Sequence, residues 1–231
     1  YKLTGGVPEL KKMHSSETGR ELWQISSDTA PAVACYFERQ AFTSVEKYLV
    51  YASRSSGAWR LKRMNLKTGV ARAITPEGRK VMDDDYTIMP DGERVCYLDG
   101  WKLYALHVER MEEELLFDYS GLLPDQPLYT GSFTSDGIYT LVYIRGDTSE
   151  GAQTAIYRTN LETGEIRVVH EQPGGKITHP LINPENPNII SYVPGPDTQN
   201  DMSLPMEQRA RSWKVDLEAG TDMQFLTVPY G

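Results

Sequence analysis

Apolar and polar positions alternate along this chain in short runs, and turn residues separate the runs. The clearest series lies between Tyr129 and Gly174. Tyr129-Thr130-Gly131-Ser132-Phe133 leads into the turn Thr134-Ser135-Asp136-Gly137. Tyr139-Thr140-Leu141-Val142-Tyr143-Ile144 follows, then a polar loop from Arg145 to Gln153, then Thr154-Ala155-Ile156-Tyr157-Arg158-Thr159. Asn160-Leu161-Glu162-Thr163-Gly164 reverses the chain into Glu165-Ile166-Arg167-Val168-Val169-His170. Short runs rich in β-branched and aromatic residues predict strands. Gly, Asp and Asn at the reversals supply the backbone freedom a hairpin needs. The series predicts four consecutive antiparallel strands.

The same unit recurs along the chain. A second copy runs from about Tyr36 to Gly78, with Phe42-Thr43-Ser44 at its start. Its later strands are Lys47 to Ala52, Trp59 to Met64 and Val70 to Thr75, with a hairpin at Leu66-Lys67-Thr68-Gly69. A third copy runs from about Asp83 to Gly121, with the turn Met89-Pro90-Asp91-Gly92 and strands Arg94 to Leu98, Lys102 to Leu106 and Leu115 to Tyr119. Glu112-Glu113-Glu114 is read there as a solvated turn. A fifth copy begins at Ile177 and continues with Ile189 to Val193, Arg211 to Leu217 and the hairpin Glu218-Ala219-Gly220-Thr221. A Pro-rich, polar insertion from Pro194 to Glu207 interrupts it. Near the start, Glu17-Thr18-Gly19 matches Glu162-Thr163-Gly164, so Ser15 to Ser26 is read as the outer hairpin of a blade whose inner strands lie elsewhere.

Thr43, Pro90, Thr134 and Asn183 mark one place in four copies, 47, 44 and 49 residues apart. A four-stranded unit repeating in the forties is the sequence signature of a β-propeller. The expectation is an all-β fold, a β-propeller of four-stranded antiparallel blades, with four to five blades forming a single domain over residues 1–231. That number of blades does not close a comfortable ring. The domain is therefore expected to be incomplete at its C-terminus, with a small five-bladed ring as the alternative.

Composition narrows the functional classes. Of 231 residues, 39% are hydrophobic and 24% charged, enough apolar side chain for a packed core. The net charge is −8, and no basic face of the kind that grips a nucleic-acid backbone is visible, so no nucleic-acid partner is expected. A local arginine can still hold a small anion on a mildly acidic surface. Cys35 and Cys96 sit at strand-like positions in different copies and are read as buried free thiols. No apolar run approaches the roughly 18 residues of a membrane span, so no membrane partner is expected. The default location is cytoplasmic.

No self-standing catalytic motif is present: no Gly-x-Ser-x-Gly, no phosphate loop and no His-Glu-x-x-His. The four histidines do not cluster at metal-ligand spacing. His107, at the end of a third strand, and His170, in an outer hairpin, are read as solvent-edge residues. His179 lies on the first strand of its copy, and innermost strands line a propeller's central channel. It is a candidate for the channel mouth. Arg211 follows the long insertion and stands beside Trp213. Insertions between blade strands build binding surfaces, and a guanidinium grips a carboxylate through two parallel hydrogen bonds. Arg209 is an alternative for the same part.

These residues carry a family resemblance. Glu17-Thr18-Gly19-Arg20-Glu21-Leu22-Trp23-Gln24-Ile25-Ser26, then Tyr36-Phe37-Glu38-Arg39-Gln40-Ala41-Phe42-Thr43, resembles the opening of the oligogalacturonate lyases. In that family a Thr-Gly strand leads into Tyr-Phe-x-x-x-x-Phe-Thr. Thr178-His179-Pro180-Leu181-Ile182-Asn183-Pro184 resembles the family's Gly-His-Pro strand, and Ala210-Arg211-Ser212-Trp213 its Ala-Arg-x-Trp strand. The likeness runs from about Thr18 to the end, in the same order. It implies the first two-thirds of a seven-bladed propeller and β-elimination on short oligogalacturonides, chiefly digalacturonate, in pectin degradation. Arg211 then matches a substrate-contacting arginine, His179 a histidine on the pocket side, and the partner is an acidic oligosaccharide.

The resemblance also marks departures. Val33 stands where the family has a histidine. The family's catalytic histidine lies in a Thr-His-Glu strand of the following blade, and the histidines that bind its Mn²⁺ come later still. The resemblance thus implies that this stretch carries neither the catalytic base nor the metal ligands, and that it has no lyase activity alone. Two other readings fit the repeats: a non-catalytic interaction platform of the TolB or WD40 type, and the propeller of a prolyl-oligopeptidase-type peptidase.

Overall fold

The computed structural model describes residues 7–8, 11–26, 31–36, 38–55, 57–123, 126–145, 153–173, 176–194 and 212–226. Every regular element among them is a strand. The chain forms two compact units, Tyr1–Asp118 and Tyr119–Gly231.

In the first unit, β1 (Val7–Pro8) is followed by the exposed hairpin of β2 (Lys11–His14) and β3 (Glu21–Gln24). A five-stranded antiparallel sheet contains, from inside outward, β4 (Ala32–Val33), β5 (Tyr48–Ser55), β6 (Ala58–Asn65), β7 (Val70–Ala73) and then β1. A four-stranded sheet follows: β8 (Tyr86–Ile88), β9 (Arg94–Asp99), β10 (Lys102–His107) and β11 (Glu113–Asp118). The middle strands β9 and β10 are buried along nearly their whole length. That is why Val95-Cys96-Tyr97-Leu98 reads as a continuous apolar run rather than an alternation. Outer β11 keeps Leu115 and Glu114 exposed. Val50, Leu61, Tyr86, Val95, Tyr97 and Leu106 fill the space between the two sheets. Each such side chain contributes about 1.5–3 kcal/mol of burial.

The second unit holds β12 (Leu128–Phe133), β13 (Tyr139–Ile144), β14 (Gln153–Asn160) and β15 (Ile166–Pro173) in one sheet. β16 (Ile177–Ile182), β17 (Ile189–Pro194), β18 (Ser212–Asp216) and β19 (Thr221–Leu226) form the next. Leu141, Ile156, Ile177, Ile190, Tyr192 and Val215 pack between them.

One outer hairpin is used five times among the described residues. In Asn160-Leu161-Glu162-Thr163-Gly164, the Asn160 Oδ1 accepts from the amides of Glu162 and Thr163, at 2.9 and 3.0 Å. Gly164 takes φ 76°, a left-handed conformation that suits glycine. Asn65 with Gly69 and Asp216 with Gly220 repeat the arrangement, and Ser15 with Gly19 gives a lighter version. In the third sheet His107 takes the asparagine's part and Met111 the glycine's, at φ 58°.

Four sequence expectations need correction. The second copy does not begin at Tyr36: its innermost strand is β4, after which residues 34–36 and 38–40 lie off the ladder, which resumes at Ala41 and Phe42 opposite β5. Met89, not Pro90, matches Thr43, because Met89 N bonds Arg94 O as Thr43 N bonds Tyr48 O. Glu113 is not in a solvated turn. It lies on β11 and takes Arg79 and the Tyr97 hydroxyl as partners. The second copy also carries a fifth strand, β1, outside β7.

Candidate functional site

The innermost strand of the fifth sheet is broken where His179 stands. Thr178 faces Val193 and Leu181 faces Ser191, so three steps along β16 oppose two along β17. His179 and Pro180 fill this bulge. A proline fits there because no ladder bond asks for its missing N–H. His179 adopts φ 57°, a left-handed conformation that costs a side-chain-bearing residue about 1–2 kcal/mol. Bulges re-aim side chains, and strain held by a packed frame clusters at functional sites. His179 is half-buried, and its Nδ1 is shielded from solvent.

The neighbouring inner strand, β12, holds this frame. It has its own three-against-two step between Thr130 and Phe133. Gly131 is needed there, because a Cβ would lie 2.6 Å from that of Leu141. Ser132 Oγ accepts from Ile182 N at 2.8 Å, which ties β12 to β16. At the start of β16, Ile177 N donates to the carbonyl of Arg145 at 3.1 Å. Arg145 is exposed, and its backbone adjoins the first residue of the strand that carries His179. Sequence reasoning passed over Arg145; its only signal was an arginine directly after a strong strand.

Register locates the entry of the insertion. Ile177 faces Pro194, and Tyr192 faces Trp213. The chain therefore leaves β17 and enters β18 at the sheet end that carries Ile177 and His179. Ser212 is the first residue of β18. Arg211 and Arg209 lie outside the described residues.

In the first unit the corresponding inner seam is charged. Residues 36 and 40 are stitched to β8 and the residues just before it by Tyr36 N to Asp84 O and Ile88 N to Gln40 O. Arg39 meets Asp85 at 2.6 Å, with side chains only 10% and 2% exposed. Cys35 and Cys96 are buried free thiols, as expected from sequence. Burial pushes the Cys35 thiol up to about 11 and Cys96 up as well, which makes both poor nucleophiles.

His107 and His170 are not solvent-edge residues. His107 is 8% exposed, held inward by two backbone amides. His170 is half-buried: its Nδ1 meets Asp222 at 2.7 Å and its ring lies tilted against Tyr192, with ring centres 4.7 Å apart. Burial and the Asp222 charge push the Tyr192 hydroxyl up. Among the described residues no three His, Cys, Asp or Glu side chains converge as metal ligands. These residues do not fit a manganese site. Among them, too, no helix is long and apolar enough to cross a membrane.

Four-stranded antiparallel sheets, each running from an inner to an outer strand and following one another in sequence, define the β-propeller class. Solved structures agree. The chain is similar to an oligogalacturonate lyase in complex with manganese, at 19% identity and TM-score 0.76 over 99% of this chain and 63% of that one. It is similar to the oligogalacturonate lyase of Vibrio parahaemolyticus, at 20% identity and TM-score 0.74 over 95% of this chain and 60% of that one. TolB of Acinetobacter baumannii aligns at 16% identity and TM-score 0.57, over 94% of this chain and 49% of that one. This chain thus spans less than two-thirds of the length of either lyase. At these identities the likeness shows the fold. No protein-family model and no curated protein matches the sequence.

Proposed function

We propose that this chain forms uronate-binding blades of an oligogalacturonate lyase-like protein, one that acts on short oligogalacturonides in the cytoplasm. The observation that carries the reading is His179. A left-handed histidine sits on a bulge of an innermost strand, at the sheet end where the segment bearing Arg211 enters β18. The likeness in fold to two oligogalacturonate lyases supports it.

The chemistry asks for such a site. β-Elimination removes the proton beside a uronate carboxylate, and negative charge then builds up on that carboxylate. A fixed cation stabilises it, and a guanidinium does so with two parallel hydrogen bonds. Arg211 takes this role, and His179 hydrogen-bonds the sugar. The proton-abstracting base and the Mn²⁺ ligands are assigned to other parts of the full protein.

Calorimetric titration of the 231-residue chain with digalacturonate tests the reading. Binding is expected, with a loss of about tenfold or more in Arg211→Ala. Absence of binding to the unsubstituted chain overturns it. Unchanged affinity in Arg211→Ala removes Arg211 from the site.

A further inference from the structure

Each unit holds one pair of successive sheets, and the two sheet pairs can be matched residue by residue. At the end of the later inner strand, Met89 N bonds Arg94 O in the first pair and Asn183 N bonds Ile189 O in the second, where the turn is one residue longer. Counted back from these bonds, Ile88 of β8 matches Ile182 of β16. Successive amides of an antiparallel strand point to opposite sides. Met89 and Asn183 point into the ladder, so Ile88 and Ile182 point away from it. Both strands stand at the inner end of their sheets, and the preceding blade receives these amides. Ile88 N donates to Gln40 O, and Ile182 N to Ser132 Oγ, each at 2.8 Å. The first acceptor is a backbone carbonyl, present whatever side chain residue 40 bears. The second is a hydroxyl that Ser132 alone supplies.

The inner strands differ at the same place. β8 pairs with β9 through Tyr86, Thr87 and Ile88 without a break. In β16 the pairing skips His179 and Pro180, and in β12 beside it the pairing skips Gly131 and Ser132. A bulge disrupts its own ladder, so its shape depends on how its flanks are pinned. Here Arg145 O holds Ile177 N at one flank, and Ser132 Oγ holds Ile182 N at the other. The first tie is backbone to backbone. The second needs a side chain, which the bulge of β12 turns toward β16. Ile182 is buried, so its amide has a use for that acceptor.

We propose that Ser132 is a positioning residue for the uronate site: by holding Ile182 N, its hydroxyl fixes the bulge of β16 and with it the left-handed conformation of His179. The ligand in this statement rests on the uronate reading; the conformation of His179 does not. The test compares the full chain with Ser132→Ala and Ser132→Thr. Its first readout needs no ligand: the NMR Cα and Cβ shifts of His179, which report the backbone dihedrals. In Ser132→Ala they are expected to leave left-handed values, while resonances of the first unit stay in place. Ser132→Thr keeps the hydroxyl on a residue suited to a strand and is expected to restore them. The second readout is calorimetric titration with digalacturonate. Affinity is expected to fall about fivefold in Ser132→Ala and to recover in Ser132→Thr. Unchanged His179 shifts in Ser132→Ala would overturn the proposal, and so would an equal change in Ser132→Thr, which would assign the effect to packing. Changed shifts with unchanged affinity would overturn the role of Ser132 in the site. If the unsubstituted chain binds no digalacturonate, the uronate reading falls, and the shifts alone decide whether Ser132 sets His179.

Discussion

At its innermost seam the first unit sets Arg39 against Asp85, both buried. The second unit closes its seam with a neutral bond, Ser132 Oγ to Ile182 N, and lets His179 stand out of the ladder in a left-handed conformation. Toward the turns both sheet pairs use a serine tie, Ser44 N to Gly92 O and Ser135 N to Pro184 O, and a third-strand arginine that crosses to the next sheet, Arg63 to the carbonyls of Val108 and Glu109 and Arg158 to Pro187 O and Asn188 Oδ1. The contrast separates two kinds of polar investment. The charged pair satisfies itself inside the fold, so it serves the frame. The histidine is left-handed on a bulge and only half-buried, so its place is set by the break in the ladder rather than by a sealed ion pair. A difference at the inner strands, on a scaffold that largely repeats, is where a propeller acquires chemistry.

The largest expected effect breaks the charged seam. Asp85→Ala leaves a buried guanidinium without its carboxylate, and stability should fall by about 3–5 kcal/mol. Urea denaturation measures this; a loss below about 1 kcal/mol would mean that the guanidinium re-solvates and the seam is not sealed. Next come the two arginine ties. Arg158 is 6% exposed, and two acceptors depend on it, so Arg158→Ala should cost about 2–3 kcal/mol. Arg63 is less buried, and its partner Glu109 is exposed, so Arg63→Ala should cost about 1 kcal/mol. Equal losses would show that the two seams are energetically alike despite their different turns.

His179→Gly is the third test, and it reads stability and binding together. Glycine accepts φ 57° without strain, so the variant should gain about 1 kcal/mol or less. It should also bind digalacturonate more weakly. Greater stability with unchanged affinity would make His179 a structural accident of the bulge.

Much of this contrast could be read from sequence, and the rest could not for identifiable reasons. The strands β12 to β15 were legible because each apolar run carries its own turn, and Thr163-Gly164 and Asp136-Gly137 fix where the chain reverses. His179 was legible as a residue on an innermost strand, but its φ was not, because a bulge depends on the partner strand. β4 escaped because Ala32-Val33 is too short to show a period. Arg39 and Asp85 escaped because they are 46 positions apart and meet only where the chain around Arg39 leaves the ladder. The inward place of His107 was hidden because His107-Val108-Glu109-Arg110-Met111 departs from Asn160-Leu161-Glu162-Thr163-Gly164 at both diagnostic ends. Its imidazole does an amide oxygen's work.

The smallest effect sharpens the comparison at a single turn. Glu46 N bonds Thr43 O as Gly137 N bonds Thr134 O, so Glu46 stands where the second unit has glycine. Glu46 has φ 49° and is exposed, and no core contact is lost when its side chain goes. Relief of the left-handed strain contributes about 1–2 kcal/mol. The greater freedom of glycine in the unfolded chain offsets about 0.4–1 kcal/mol of it. Glu46→Gly should therefore stabilise the protein by about 0.5 kcal/mol, and the reciprocal Gly137→Ala should destabilise it by about 1 kcal/mol. Met111, also left-handed, is the less clean site because its side chain packs on the core. Paired denaturation curves decide the matter. If Glu46→Gly destabilises, the turn at residues 43–46 is not held in the conformation of its counterpart, and the equivalence of the two sheet pairs fails at its most local point.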